Sequence, residues 1–400
     1  MKIRLLTLVV ALFALVACSK PSFNVKVELQ NAEGKMVYLQ KFVDKKSTVI
    51  DSVVMQNNVV NFTVEEGNPT TYYSIKVEKV RYPIGFFSEN NDVTIVGDIK
   101  DKNIKNEFLE KITDDVKFLI ATPPCQGISN LGKNRTIDDK LKDPRNYLIF
   151  EVLEVIDNKD FDYIMIENVP GFFKVLLPYK DKLMTIKEIL TDKYLNKYII
   201  ETKILNAKDY GVPQSRPRAI VKMYKKDLKW GWPKEQKEIT LREAIGDLPS
   251  LESGETSNIK FHNARKHVDN HILWMKHTPT GCSAHDNKEF YPRKKDGTKI
   301  KGFNATYKRM KWDAPAPAVT MRSDAISSQE NVHPGRKNPD GTYSDARVLT
   351  LRELFIVESL PAEWNIPEWC SDTFIRQIVG EAVPPMLAYN IVKEIGEDND

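Results

Sequence analysis

Glycine is scarce in this chain, at 18 of 400 residues, or 4.5% where about 7% is usual. No two glycines stand closer than five residues apart (Gly127 and Gly132, Gly297 and Gly302). A G-x-G loop of the kind that cradles a cofactor is therefore absent. Cysteine is scarcer still, and Cys18, Cys125, Cys282 and Cys370 are far apart. That spacing excludes a disulfide framework and a C-x-x-C zinc anchor. A dominant charge is missing too: 59 Lys and Arg face 55 Asp and Glu, a net of +4. So mild a balance names no partner, and only local clustering can. What remains is 41% apolar and 28% charged, which fits neither a disordered chain nor a polytopic membrane protein. The length suits two to four domains of roughly 100–200 residues.

Lys2 and Arg4 precede an apolar run at residues 5–17, broken only by Thr7. The run is too short for the ~20 residues of a membrane-spanning helix and fits a secretory h-region. It ends Leu15-Val16-Ala17-Cys18, which resembles a bacterial lipobox, so Cys18 is the expected lipidation site. Residues 22–98 then alternate apolar and polar: Val25, Val27 and Leu29; Val60, Phe62 and Val64; Tyr73, Ile75 and Val77. Period-2 runs between Asn- and Gly-rich turns predict an antiparallel meander or sandwich. With the lipobox, this stretch resembles the small β-domain that opens many Bacteroidetes lipoproteins.

Beyond residue 98 strands alternate with helices. Residues 116–121 and 161–166 read as buried strands, 146–156 and 182–190 as helices, and 198–205 and 218–223 as further strands. That rhythm predicts a parallel α/β sheet with its chemistry at the strands' carboxyl ends. Those ends carry a thiol (Cys125), a carboxylate (Glu167) and, just before the last strand, Arg216 and Arg218. The set offers a nucleophile, a proton donor and anion-binding groups.

The ordered motifs resemble those of the DNA (cytosine-5) methyltransferases over about residues 97–398. They are Pro123-Pro124-Cys125-Gln126-Gly127 with Ser129; Asp143-Pro144-Arg145-Asn146 with Leu148; Glu167-Asn168-Val169; and residues 205–214 with Arg216 and Arg218. Near the end stand Arg347-Val348-Leu349-Thr350 with Glu353, Ser359-Leu360-Pro361, and Val379-Gly380-Glu381 with Pro384-Pro385.

The resemblance implies methyl transfer from S-adenosylmethionine to carbon 5 of a cytosine flipped out of duplex DNA. Cys125 attacks carbon 6, Glu167 holds ring nitrogen 3 and the exocyclic amine, and Arg218 contacts the base carbonyl. Arg216 and Ser129 are expected on backbone phosphate, with Gln126 and Gln214 also on the DNA. Asp98, Ile99, Pro124, Leu148 and Gly380 are the expected donor contacts. A cognate restriction endonuclease and a monomeric state are further expectations. The chemistry implies a cytoplasmic protein, whereas the signal implies a membrane-anchored one.

Between residues 225 and 346 the αβ rhythm stops, where the family places its target-recognition domain. Residues 286–312 hold nine Lys or Arg against three Asp or Glu, with Tyr291, Phe303, Tyr307 and Trp312 interleaved. Such a patch suits a phosphate backbone, and Lys294, Lys295 and Arg309 are its expected contacts. His262, His267, His271, His277 and His285 lie nearby with Cys282; they are expected at the surface or facing DNA, with no metal.

The family's opening strand and F-x-G-x-G loop have no counterpart here. The expected fold is therefore α/β: a partial Rossmann-like methyltransferase sheet lacking its first strands, an N-terminal all-β domain, and a mixed target-recognition domain. The expected domains are a signal at 1–18, a β-domain at 19–96, an incomplete catalytic domain at 97–224, a recognition domain at 225–346, and C-terminal motifs at 347–398 packing back on the catalytic domain. The abrupt join near residue 97 reads as a chimeric frame. Two other functions fit parts of the chain: a lipid-anchored envelope protein acting through its β-domain, and a DNA-binding remnant without catalysis.

Overall fold

Strand pairing follows the alternation of apolar side chains, because burying one face of a strand fixes its register. In the computed structural model, the described residues are 22–29, 32–43, 46–65, 72–78, 84–87, 93–96, 106, 109–110, 112–124, 144–361, 364, 366 and 370–396. Cys18, Asp98, Ile99, Cys125, Gln126 and Ser129 lie outside them. Contacts divide the chain into two units: Met1–Glu110 with Ile366–Ser371, and Lys111–Asn365 with Asp372–Asp400.

The first unit contains β1 (Ser22–Glu28), β2 (Met36–Val43), β3 (Lys46–Val54), β4 (Val59–Glu65), β5 (Tyr72–Val77), β6 (Ile84–Phe87) and β7 (Val93–Val96). They form one sheet of order β4-β1-β7 and another of order β3-β2-β5-β6. Val25 and Val27 of β1, Phe62 of β4, Leu39 of β2 and Ile75 of β5 share one buried cluster. The stretch is not a simple meander, because β7 returns to lie parallel to β1.

In the second unit, β8 (Phe118–Ala121), α1 (Leu148–Asn158) and β9 (Tyr163–Asn168) come first. The hairpin β10 (Leu176–Tyr179) and β11 (Lys182–Thr185) leads into α2 (Ile186–Tyr194). Then follow β12 (Tyr198–Asn206), β13 (Gln214–Ser215), β14 (Pro217–Lys225), α3 (Leu241–Ile245), α4 (Asp269–Lys276) and β15 (Ala316–Pro317). The chain closes with α5 (Leu351–Val357), α6 (Asp372–Glu381) and α7 (Pro385–Val392).

Two expectations need correction. Residues 182–190 are not one helix, since residues 182–185 pair in a hairpin and α2 starts only after Thr185. There Thr185 and Glu188 form a reciprocal capping box, a Thr-x-x-Glu signal visible in the sequence. Nor is the central sheet, of order β12-β14-β9-β8, wholly parallel. Only β8 and β9 are parallel, while β14 runs antiparallel to both β9 and β12. The reason is the short turn between β12 and β14, because a parallel return needs a crossover of a dozen or more residues. Gly211 sits in that turn with φ +77°, a left-handed conformation that suits glycine.

The insertion of β14 has a functional result. It places the start of β14 beside the end of β9, with Ala219 opposite Asn168 and Ile220 opposite Glu167. The ends of β8, β9 and β12 and the start of β14 therefore meet at one sheet edge.

Candidate active site

Three segments converge at that edge. Thr122, Pro123 and Pro124 leave β8 toward Cys125, which itself lies outside the described residues. The Asn168 side-chain amide, at the end of β9, donates to the Pro123 carbonyl at 2.9 Å. Its oxygen accepts from the Val169 backbone amide at 2.9 Å. Asn168 is thus fixed at both ends, and it pins the backbone two residues before the thiol.

Next to it, Glu167 is 7% exposed and receives Arg218 Nε at 2.7 Å. Burial raises the Glu167 carboxyl above its ordinary value, while the positive charges of Arg218 and Arg216 act the other way. Burial prevails, so this carboxyl gives up its proton less readily than an exposed one. The pair presents a hydrogen-bonding carboxyl and a planar cation side by side, suited to a polar heterocycle edge.

Arg216 does not stand where a DNA phosphate could meet it. It is 3% exposed, and its guanidinium donates to the carbonyls of Val319 at 2.7 Å, Gly380 at 2.8 Å and Ala382 at 2.9 Å. It is a strut between the sheet edge and the segment after α6. Gln214 is buried as well: it donates to the Val357 carbonyl at 3.3 Å and accepts from the Val319 amide at 2.9 Å. Its expected DNA contact is corrected for the same reason.

Arg309 is likewise interior, 1% exposed, donating to the carbonyls of His333 at 2.8 Å, Met275 at 2.9 Å and Ser344 at 3.0 Å. This region has few helices or strands, so buried carbonyls lack ladder partners and an arginine supplies donors instead. Tyr307 and Trp312 are buried too, so these aromatics belong to packing. The interleaved pattern could not distinguish core rings from displayed ones. Lys294 and Lys295 are exposed, and Phe303 is 83% exposed. Of the histidines expected at the surface, His262 is buried, with Nδ1 3.0 Å from Thr350 Oγ1 and Nε2 2.9 Å from the Pro249 carbonyl.

Sequence reasoning assigned no role to the buried ion network of the C-terminal motif. Arg347 binds Glu353 through two contacts of 2.7 and 3.0 Å and Asp345 at 2.8 Å. His333 lies 3.8 Å from Asp345 and 3.7 Å from Glu353. It also passed over Glu358, buried just after α5; an acid ending an apolar helix was the available signal.

A family profile described as C-5 cytosine-specific DNA methylase matches residues 65–397. The chain belongs to this family. The match begins within the stretch expected as a separate β-domain. The Type II methyltransferase M1.HgaI of Avibacterium volantium is 49% identical over 310 residues, which cover 77% of this chain and 87% of that protein. The Type II methyltransferase M.MthTI of Methanothermobacter thermautotrophicus is 36% identical, over 71% of this chain and 79% of its own. A crystal structure of a DNA modification methyltransferase encoded within an E. coli prophage is similar in fold. Its TM-score is 0.50 at 17% identity, covering 76% of this chain and 85% of that one.

As a C-5 cytosine methylase, the enzyme uses S-adenosylmethionine as methyl donor. The described residues do not form a cradle for that donor. Pro124 is exposed at the end of β8 and Leu148 half-buried at the start of α1. A Cβ added to Gly380 would lie 2.4 Å from the Met321 backbone nitrogen and the Thr320 carbonyl carbon. That glycine therefore serves a close backbone approach to residues 320–321. With G-x-G also absent, the described residues supply no glycine-rich loop for the donor.

Proposed function

We propose that Cys125 is the nucleophile of this methylase and that Glu167 and Arg218 hold a cytosine extruded from duplex DNA. The Cys125 thiolate adds to carbon 6, which makes carbon 5 nucleophilic. Glu167 supplies the proton at ring nitrogen 3 and accepts from the exocyclic amine, so charge on the ring is met as it develops. Arg218 contacts the base carbonyl. Once carbon 5 carries the methyl group that the donor would supply, loss of the carbon 5 proton to solvent base and expulsion of the Cys125 thiolate would restore the ring, and ring nitrogen 3 would return its proton to Glu167. The observation that supports this reading is the buried Glu167–Arg218 pair at 2.7 Å, beside the Asn168 bond to Pro123.

The protein should form a covalent adduct with a duplex bearing 5-fluorocytosine in the presence of donor, seen as a mass shift on the peptide holding Cys125. Intact protein with no adduct, or an adduct surviving Cys125→Ser, overturns the assignment.

The exposed Lys294 and Lys295 are read as phosphate contacts on a recognition domain at 225–346, between an incomplete catalytic domain at 97–224 and C-terminal motifs at 347–398. The Type II names of the relatives favour a restriction-modification setting; a partner endonuclease and a monomeric methylase belong to the same proposal. Residues 1–18 are read as a lipoprotein signal with Cys18 lipidated, followed by a β-domain at 19–96. On this reading the frame is a chimera that lacks the family's first strands. Among the described residues no helix is long and apolar enough to cross a membrane. Palmitate labelling lost in Cys18→Ala supports the signal; a single unbroken frame in genomic DNA over codons 85–110 refutes the assembly chimera.

A further inference from the structure

Two acids and two arginines make up one buried cluster behind the proposed base pocket. Arg218 serves Glu167 at 2.7 Å. Arg216, two residues earlier, has Glu358 Oε1 at 3.8 Å from Nη1. The three carbonyls that fix Arg216 are neutral, so they orient its charge without cancelling it. Glu358 is 0% exposed, and among the described residues only the Gln214 side chain stands by its carboxylate as a hydrogen-bonding group, without an ideal bond to either oxygen. Burying a carboxylate so is costly unless a cation compensates it.

We infer that Glu358 is a positioning residue for the methyl-transfer reaction: its carboxylate offsets Arg216, so that Glu167 keeps its proton beside Arg218. This rests on the proposed role of Glu167. Among the described residues, the charges acting on Glu358 are Arg216 and Arg218, with Gln214 alongside. The same two arginines act on Glu167.

Burial pushes the Glu358 carboxyl up to about 7, against the pull of the arginines. Ionisation therefore comes as pH rises through neutrality. Its new negative charge then faces Arg216, the cation that also acts on Glu167. A glutamine there removes that negative charge from beside Arg216, and the Glu167 carboxyl then ionises at lower pH.

The test is a pH titration of the full chain labelled with δ-carbon-13 glutamate, followed by NMR, with Glu167→Gln and Glu358→Gln assigning the two resonances. One resonance, lost in Glu358→Gln, should titrate near neutrality. In that variant the Glu167 midpoint should move down by about one pH unit. Glu358→Asp, which keeps the charge, should restore it. In turnover, the ratio of parent rate to Glu358→Gln rate should grow about tenfold between pH 6 and pH 8.5, as one pKa unit implies. A Glu167 midpoint unmoved in folded Glu358→Gln overturns the inference. So does an equal loss of rate at every pH, which is the mark of a merely structural role. The titration needs no turnover, so a chain that shifts as expected but transfers no methyl group upholds this inference and refutes the proposed function.

Discussion

Charge is used in opposite ways at the sheet edge and in the loop-rich region after it. At the edge, regular strands satisfy their own backbones, so Glu167 and Arg218 are left to pair with each other beside the pocket. In the region from 225 to 346, helices and strands are few, and some arginines turn inward, although Arg242, Arg293 and Arg322 are exposed. Arg309 and Arg336 both donate to backbone carbonyls there, while Lys294 and Lys295 stay in solvent. A buried charge therefore marks function only where backbone has not already claimed it. Arg216, at the boundary between the two patterns, belongs with the second by its partners although it lies two residues from Arg218.

The comparison can be broken first at the edge. Glu167→Gln, which keeps a hydrogen-bonding group beside Arg218, should lower methyl transfer about 10²- to 10⁴-fold, the range for a positioned acid, with the urea midpoint little changed. A parallel collapse of stability would show Glu167 to be scaffold like Arg309.

Next comes the scaffold. Arg347→Met takes from buried Glu353 its paired cation and from buried Asp345 one of its two arginines, and should cost about 3–5 kcal/mol in urea unfolding. A loss under about 1 kcal/mol, the worth of an exposed pair, would reverse the assignment.

A subtler difference is pH. Burial lowers His333 to about 3, below its unfolded value of about 6.5. Between those values the unfolded chain binds the proton and the native chain does not. Stability that His333 contributes above pH 6.5 is then lost as pH falls toward 3. His333→Asn should flatten this slope in thermal melts, and an unchanged slope would count against it.

The smallest effect expected is at the displayed cations. Replacing Lys294 and Lys295 together by Ala should reduce the salt dependence of duplex binding by about two phosphate equivalents, each worth a slope of about 0.9. If Arg309→Ala in a folded protein gave the same change, the contrast between inward and outward charge would fail.

Much of this was legible in residue order. Alternation at Val25, Val27, Phe62 and Ile75 corresponds to their burial, and the apolar spacing of residues 146–156 corresponds to α1. Strand direction was not legible, because an apolar run such as residues 218–223 buries equally well either way along. Thr185 and Glu188 did carry the helix start, but apolar residues before them looked equally helical. Among site residues, Glu167 and Arg218 could be paired by motif. The fates of Arg216, Gln214 and Arg309 depended on carbonyls supplied by residues up to 166 positions away, which no local pattern encodes.

The amide of Asn168 holding the Pro123 carbonyl has a consequence for drift. Because β8 and β9 lie parallel and in fixed register, the backbone leading to the thiol takes its place from the strand that bears the acid. A substitution that nudges β9 carries the approach to Cys125 along with Glu167. Their spacing is therefore inherited from strand pairing, and neighbouring side chains are free to vary so long as that one amide remains.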